Sequence, residues 1–295
     1  MSMQQPELSI ITVNYNGFAD TVQLIESIQT HLKISYEFTV VDNGSKADEA
    51  GILKHQFPNI KVIRSAKNLG FAGGNNLGIK DATADFLLFI NNDTYVKDDS
   101  LTLLVERMKK EPTLGGISPK ILFADQEKLI QFAGYTPLSS VTLRNRLIGF
   151  KEQDSGHYDH PISTPYLHGA TMLIRREAIE KVGGMPEIYF LYYEELDWSL
   201  QLRRAGYRLE YNPAAVVFHK ESSSVGQESP LKAFYMTRNR LLFAKRNLSS
   251  FHRFLSIAYQ ISLALPKRAF HCLLKGNTDL AVAMMKGCVA FIRMK

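Results

Sequence analysis

Apolar residues come in short, nearly uninterrupted runs along the first ninety positions of the chain. Leu8 to Val13 (LSIITV) is one such run, and Val22, Ile25, Ile28 and Leu32 then recur at helical spacing. FTVV (Phe38 to Val41) and IKVI (Ile60 to Ile63) follow, with a polar helix candidate containing Leu53 between them. A fourth run, Phe86 to Ile90, is broken off by Asn91, Asn92 and Asp93. Apolar runs bounded by turn formers mark strands buried on both faces. Their alternation with helices predicts an α/β fold: a mostly parallel sheet flanked by helices and connected right-handedly.

Beyond residue 115 the alternation weakens. TMLI (Thr171 to Ile174) reads as a strand before a helix around Glu177 to Lys181, a charged helix (EELDWSLQLRRAG) stops at Gly206, and VVF (Val216 to Phe218) ends at His219. From about Phe234 the spacing is helical and acids are almost absent. Charge sharpens this division. From Leu231 to the end there are 12 Lys and Arg against one acid, Asp279, whereas the first 230 residues carry 23 bases and 28 acids. The expected organisation is a main domain over 1–230, divided near 115, and a basic helical segment over 231–295 that meets an anionic partner.

Cys272 and Cys288 lack zinc spacing and suggest no disulfide framework. The N-terminus shows no basic region followed by an apolar stretch, so a cytoplasmic location is expected. Two apolar stretches of the tail, Phe254 to Leu265 and Leu280 to Ile292, are interrupted by Gln260 and Lys286 and are too short to span a bilayer.

Ligands on open α/β sheets bind beyond the carboxyl ends of the strands, and the polar residues of this chain collect there. Strand one runs into Asn14 and Tyr15, strand two into Asp42, strand three into Asn68, Gly70, Gly73, Gly74 and Asn76, and strand four into Asn91, Asn92 and Asp93. The glycine-rich NLGFAGGNN fits neither G-x-G-x-x-G nor a P-loop; it is either a tight turn or a loop that lets backbone approach a ligand. Asp42 suits an Asx-turn, a ribose contact, or acceptance of the imide N–H of uracil or thymine. Asn91, Asn92 and Asp93 offer oxygen ligands to a hard cation, and His219 is a further candidate, a combination that fits Mn²⁺ somewhat better than Mg²⁺. Glu194, Glu195 and Asp197 crowd a helix start. One acid there complements the helix dipole; three raise one another's pKa, as a general base requires.

Seven segments in order, ITVNYNG, VVDNGS, NLGFAGGNN, LLFINNDT, YYEELDWSLQLRRAGYR, VVFHKES and FYMTRNRLLFAKRN, closely resemble the family 2 glycosyltransferases of the GT-A fold, in particular their rhamnosyltransferase-like branch. The resemblance covers roughly Leu8 to Asn247. It implies a GT-A, Rossmann-like nucleotide-binding sheet whose first half, to about 115, holds a nucleotide sugar and whose second half, 116–230, holds the acceptor. It implies that Thr12, Asn14, Tyr15 and Asp42 hold the nucleoside, and that Asn68, Gly73, Asn76 and Asn92 line the nucleotide-sugar pocket. Asp93, Asn91 and His219 correspond to the ligands of Mg²⁺ or Mn²⁺, and Glu194 and Glu195 to the acid pair, the second being the base. Asn91 stands where Asp is common and Glu195 where Asp is common.

The expected activity is inverting transfer from dTDP-rhamnose or a UDP-sugar to a glycan or lipid-linked acceptor in bacterial surface polysaccharide synthesis. A non-catalytic nucleotide-sugar-binding protein is the alternative, and it would need neither Glu195 nor His219. No nucleic-acid module is present. The tail is expected to lie on the inner face of a membrane, with Phe254, Ile257, Leu263 and Leu265 dipped in and Arg253, Lys267, Arg268 and Lys275 on anionic headgroups. The same helices could instead pack on the main domain.

Overall fold

The computed structural model describes residues 5–220 and 229–294. Glu221 and Ser222, the last two residues of the VVFHKES segment, lie outside them. The order is β1 (Leu8–Asn14), α1 (Phe18–His31), β2 (Tyr36–Asp42), α2 (Glu49–Gln56), β3 (Lys61–Arg64), α3 (Gly70–Asp81) and β4 (Phe86–Ile90). It continues with β5 (Thr94–Tyr95), α4 (Leu101–Lys110), β6 (Leu114–Phe123), β7 (Ile130–Phe132), β8 (Ile162–Ser163), β9 (Thr171–Arg175) and α5 (Arg176–Val182). A 3₁₀ turn (Glu187–Tyr189), α6 (Glu194–Arg204) and β10 (Arg208–His219) complete the main body; α7 (Pro230–Asn247), α8 (Ser250–Tyr259), α9 (Leu265–Leu274) and α10 (Thr278–Arg293) follow.

The strands form one sheet in the order β3-β2-β1-β4-β9-β6-β10-β5, with β7 on β6 and β8 on β10. The sheet is mixed: its first four strands are parallel, as expected, and the antiparallel pairings enter in the second half. β3, β2, β1 and β4 are mutually parallel, as are β6 and β10, but β9 runs antiparallel to both of its neighbours, β4 and β6. The cause lies in how the chain arrives at β9. Asn91 N–H donates to the Ala170 carbonyl at 2.9 Å, so the chain enters β9 at the edge where β4 leaves it and must run back alongside. This brings residues 168–170 to the strand ends.

Helices cover both faces. Leu24, Ile25 and Ile28 of α1 and Leu104, Val105 and Met108 of α4 pack on one face; Ala72 of α3, Ile179 of α5 and Trp198 and Leu202 of α6 pack on the other. The glycines of α3 serve that packing. A Cβ on Gly74 would lie 2.8 Å from Val13 Cγ1, and one on Gly78 would lie 2.4 Å from Ile11 Cγ2. The helix can sit this close to β1 only because those side chains are missing.

The C-terminal helices are joined to the main body by a third apolar cluster, in which Leu241, Leu242 and Phe243 of α7 and Met284, Cys288 and Phe291 of α10 meet Tyr189, Tyr193 and Leu196. Ser229 caps α7, accepting from Lys232 N–H at 3.2 Å, and Pro230 occupies its first turn. A π-helical segment, Gln260–Ala264, bridges α8 and α9 just before Pro266, where the regular hydrogen-bond ladder cannot continue. Ending the chain at Ser250 would strip α10 from this cluster. A loss of about 3–5 kcal/mol for each large side chain uncovered predicts a melting temperature lower by roughly 10 °C or more. Differential scanning calorimetry of the shortened chain checks this, and an unchanged melting temperature would contradict the packing.

Candidate active site

Register sets the nucleoside side. β1 and β2 end level, Asn14 opposite Asp42. The Asn14 amide is wholly buried, donating to Glu49 Oε2 at 2.7 Å, Asp42 Oδ1 at 3.3 Å and Ser45 Oγ at 3.4 Å, while its Oδ1 accepts from Thr21 Oγ1 at 2.8 Å. Asp42 Oδ1 also accepts from Ser45 N–H at 3.3 Å, which makes the turn. Its Oδ2 has no hydrogen-bond partner, and Arg64 Nε stands 3.7 Å away. Thr12 Oγ1 is a second buried oxygen without a partner. Thr12, Asn14 and Asp42 are closed off from solvent while Tyr15 is exposed, so a ligand reaches Asp42 Oδ2 only with local rearrangement beside Arg64.

Several of the expected pocket residues are engaged by the protein itself. Asn68 Oδ1 accepts from Gly70 N–H at 2.8 Å and from Asn43 Nδ2 at 3.1 Å. Asn76 donates to the Met185 carbonyl and to Glu187 Oε1 and accepts from Met185 N–H, and a Cβ on Gly73 would meet Leu69 and the Glu187 carboxyl carbon. Asn92 Nδ2 donates to Thr21 Oγ1 at 3.0 Å and to the Gly17 carbonyl at 3.3 Å, at the start of α1. These amides hold the strand-end loops in place.

Asp93 and His219 are brought together from 126 positions apart. β5 pairs antiparallel with β10, His219 opposite Thr94, and Lys220 N–H donates to the Asp93 carbonyl at 3.0 Å. His219 Nε2 then lies 3.2 Å from Asp93 Oδ1, and both residues are buried. Gln131 Oε1 sits 2.7 Å from His219 Nδ1. An amide oxygen only accepts, so Nδ1 carries a proton, which leaves Nε2 to face the carboxylate. Asp93 Oδ1 has no hydrogen-bond donor. An imidazole with a carboxylate is a ligand set that Mn²⁺ or Mg²⁺ accepts, Nε2 offering its lone pair when a cation takes the place of a proton. Among the described residues no third His, Cys, Asp or Glu joins them in a metal-holding group. Asn91, partly exposed on the same turn, caps it through its carbonyl, which accepts from Thr94 Oγ1 at 2.7 Å.

The acid pair opens α6 after a strained loop. Phe190, Tyr192 and Tyr193 have φ of 65°, 69° and 80°, a region bulky residues enter only when their surroundings impose it. One buried amide imposes it. Asn239 Nδ2 of α7 lies 2.9, 2.7 and 2.8 Å from the carbonyls of Tyr189, Leu191 and Tyr192. Arg238 Nε orients that amide from 2.8 Å, and Arg240 Nε donates to Tyr193 Oη at 2.7 Å. From the other side Phe71 N–H, at the start of α3, donates to the Phe190 carbonyl at 2.7 Å. Glu194 is buried with Oε2 unpartnered, and burial, then the neighbouring Glu195, holds its carboxyl well above the usual range. Glu195 keeps some solvent contact, and burial raises it to about 7 against the pull of the backbone N–H groups of Tyr193, Glu195 and Leu196. Burial thus pushes both carboxyls toward their neutral forms. Asp197 does not join them. It is wholly buried and engaged by Tyr189 Oη at 2.7 Å, Gln201 Nε2 at 2.9 Å and Arg246 Nε at 3.0 Å.

A model of the family described as glycosyl transferase family 2 matches residues 9–183. The chain belongs to this family. It is 28% identical over 245 residues to the low-salt glycan biosynthesis hexosyltransferase Agl10 of Haloferax volcanii, covering 80% of this chain and 75% of that protein. It is 24% identical over 242 residues to the N-acetylglucosaminyl-diphospho-decaprenol L-rhamnosyltransferase of Mycobacterium tuberculosis, covering 75% and 78%. In three dimensions it resembles GalNAc-T7, solved with UDP, GalNAc and Mn²⁺, with a TM-score of 0.63 at 14% identity over 92% of this chain and 58% of that one. The fold is therefore GT-A and the chain is a glycosyltransferase.

Sequence reasoning missed what links the two halves of this family 2 site. His168 and Gly169, on the turn entering β9, connect them: the His168 ring is 6.5 Å from that of His219, and a Cβ on Gly169 would lie 3.7 Å from Glu195 Cγ. His168 Nδ1 accepts from Ala170 N–H at 3.1 Å, and burial, then His219, lowers its pKa to about 3, so it is neutral. Tyr135 stacks on it with centroids 6.0 Å apart. A histidine and a glycine immediately before a strand were the available signal. Asn239 and Gln131 gave none, since the loop carbonyls and the imidazole they meet lie at least 47 positions away. Replacing Asn239 by Ala should lower stability by about 1–3 kcal/mol, the cost of unsatisfied carbonyls, and lower turnover by more than it weakens donor binding. Denaturant titration with steady-state kinetics checks both.

Proposed function

We propose that this glycosyltransferase moves a sugar, with inversion, from a nucleoside-diphosphate sugar of the dTDP-rhamnose or UDP-sugar kind to a glycan or lipid-linked acceptor of surface polysaccharide synthesis. One observation carries the reading: a carboxylate poised near neutrality, Glu195, stands across the His168–Gly169 turn from the pair Asp93 and His219. The relatives' names supply the glycan and the diphospholipid acceptor class.

Glu195 accepts the proton of the acceptor hydroxyl as that oxygen attacks the anomeric carbon from the face opposite the diphosphate. The C–O bond to the diphosphate breaks and its electron pair leaves with the nucleotide. Burial beside Glu195 disfavours a second negative charge on Glu194. Asp93 Oδ1 and His219 Nε2 would hold Mn²⁺ or Mg²⁺, which supplies neutralisation of the leaving diphosphate. Positioning by the clamped loop provides the orientation on which the general base depends.

The outer face of the tail supports peripheral attachment to an anionic bilayer. Among the described residues no helix is long and apolar enough to cross a membrane. Phe251, Phe254, Leu263, Phe270 and Leu274 are exposed beside Arg253, Lys267 and Lys275, a pattern suited to an interface. Of the four residues expected to dip into lipid, Phe254 and Leu263 are free to do so. Ile257 and Leu265 pack inward on the third cluster instead, because the helices use their inner faces to bind the main body.

Glu195→Gln should lower kcat by about 10² to 10⁴-fold with little change in donor affinity. In the wild type, kcat should fall as pH drops below about 7, because the base must be ionised; the charged and titratable groups facing Glu195 are Glu194, Tyr135, Tyr192 and Tyr193. A flat profile from pH 6 to 8 would remove Glu195 from the role. Asp93→Ala and His219→Ala should each reduce metal-dependent donor binding in calorimetry, and the double variant should lose less than the two single losses added together. Phe254→Ser with Phe270→Ser should weaken sedimentation with anionic liposomes while leaving turnover on a soluble acceptor unchanged.

A further inference from the structure

His168 has one polar group that the protein leaves unused. Its backbone N–H donates to Ser118 Oγ at 2.9 Å, and that hydroxyl, wholly buried on β6, donates onward to the Thr171 carbonyl at 3.0 Å. Its own carbonyl accepts from Thr171 N–H at 3.1 Å. In the ring, Nδ1 accepts from Ala170 N–H at 3.1 Å. A backbone N–H only donates, so Nδ1 holds no proton and the imidazole carries its one proton on Nε2. That N–H has no hydrogen-bond partner among the described residues, and the residue is partly exposed. The ring that carries it is held in place: Phe132 packs 4.8 Å away, and Tyr135 stacks at 6.0 Å with the planes 14° apart. The donor is therefore oriented before any ligand arrives.

Its place in the fold narrows what this N–H meets. On one side the His219 ring centroid is 6.5 Å away; on the other, a Cβ on the next residue, Gly169, would lie 3.7 Å from Glu195 Cγ. On the glycosyl-transfer reading the diphosphate belongs to the first side and the attacked hydroxyl to the second. Attack from the face opposite the leaving group puts the transferred sugar between them. We propose that His168 donates a hydrogen bond from Nε2 to an oxygen of the transferred sugar and so helps to decide which sugar is accepted. This rests on the glycosyl-transfer reading and assigns that reaction a residue that reads the sugar itself. Because the Ala170 N–H fixes the tautomer, His168 discriminates in one sense only. A sugar with oxygen at the facing position is matched, whereas one with only a methyl or methylene group there leaves the N–H unsatisfied.

Two variants separate the sugar contact from the turn. His168→Asn keeps an acceptor for the N–H two residues on but is too short to replace Nε2, whereas His168→Gln gives up that acceptor and places an amide N–H near the Nε2 position. Calorimetry of the full chain with Mn²⁺ compares dTDP-rhamnose, UDP-glucose and UDP-GlcNAc with bare dTDP and UDP. His168→Asn should bind the nucleotide sugar that wild type binds best about three- to tenfold more weakly, bind the matching bare diphosphate as wild type does, and keep the wild-type melting temperature. His168→Gln should recover part of the sugar affinity. An equal loss for nucleotide sugar and bare diphosphate would overturn the proposal, because it would place the contact on phosphate or metal. So would better binding by Asn than by Gln, which would make the turn the operative part. Undiminished sugar affinity in His168→Asn removes His168 and leaves the glycosyl-transfer reading standing, whereas a wild type that binds none of the five ligands removes both.

Discussion

The amide of Asn239 gathers three carbonyls of a loop whose residues would not choose that conformation. Each left-handed residue among Phe190, Tyr192 and Tyr193 costs on the order of 1–3 kcal/mol, so the loop holds its shape because α7 supplies what the local chain does not. The direction in which α6 presents Glu194 and Glu195 follows from that hold. The basic helical segment is thus more than an appendage: its first helix shares an apolar cluster with Tyr189 and Tyr193 and lends donors to the loop between them. The inner face of the tail is thereby fixed to the loop that leads into the acid pair.

The reversed strand β9 gives the site its second constraint. Entering at the ends of β4 and β6, it brings His168 and Gly169 between the Asp93–His219 pair and Glu195. A neutral His168 here adds no charge beside either group. The two parallel blocks of the sheet meet at this strand, and its entry turn lies between the Asp93–His219 pair and Glu195.

Much of this was readable along the chain, for reasons that differ by element. β1, β2 and β4 are continuous apolar runs because both faces are covered, and their polar ends therefore stand out. β6 was not readable: LGGISPKILF contains two glycines, a proline and a lysine, yet all ten residues are buried. Its lysine, Lys120, is buried because Asp154 at 2.8 Å and Asp159 meet its charge, partners that no local pattern announces. At the site, Asp93, His219, Glu194 and Glu195 were legible as residue types placed at element ends. Their pairing was not, because the Asp93–His219 contact depends on β5 meeting β10 across 126 positions. Asp197 looked like a third member of the acid cluster, and its contacts with Tyr189, Gln201 and Arg246 show that it belongs to the core.

Trp198 is the one tryptophan in the chain. It lies on the helix that carries the acid pair, 1% exposed, with its indole N–H on the Gly183 carbonyl at 2.9 Å and its ring edge-on to Phe89 of β4 at 5.3 Å. β4 is also the strand that leads to Asp93. The single indole fluorophore of this molecule therefore touches both the helix that carries the acid pair and the strand that leads to Asp93. Its emission is a built-in optical gauge of whether acid pair and strand end remain in register, readable in the native chain without a label.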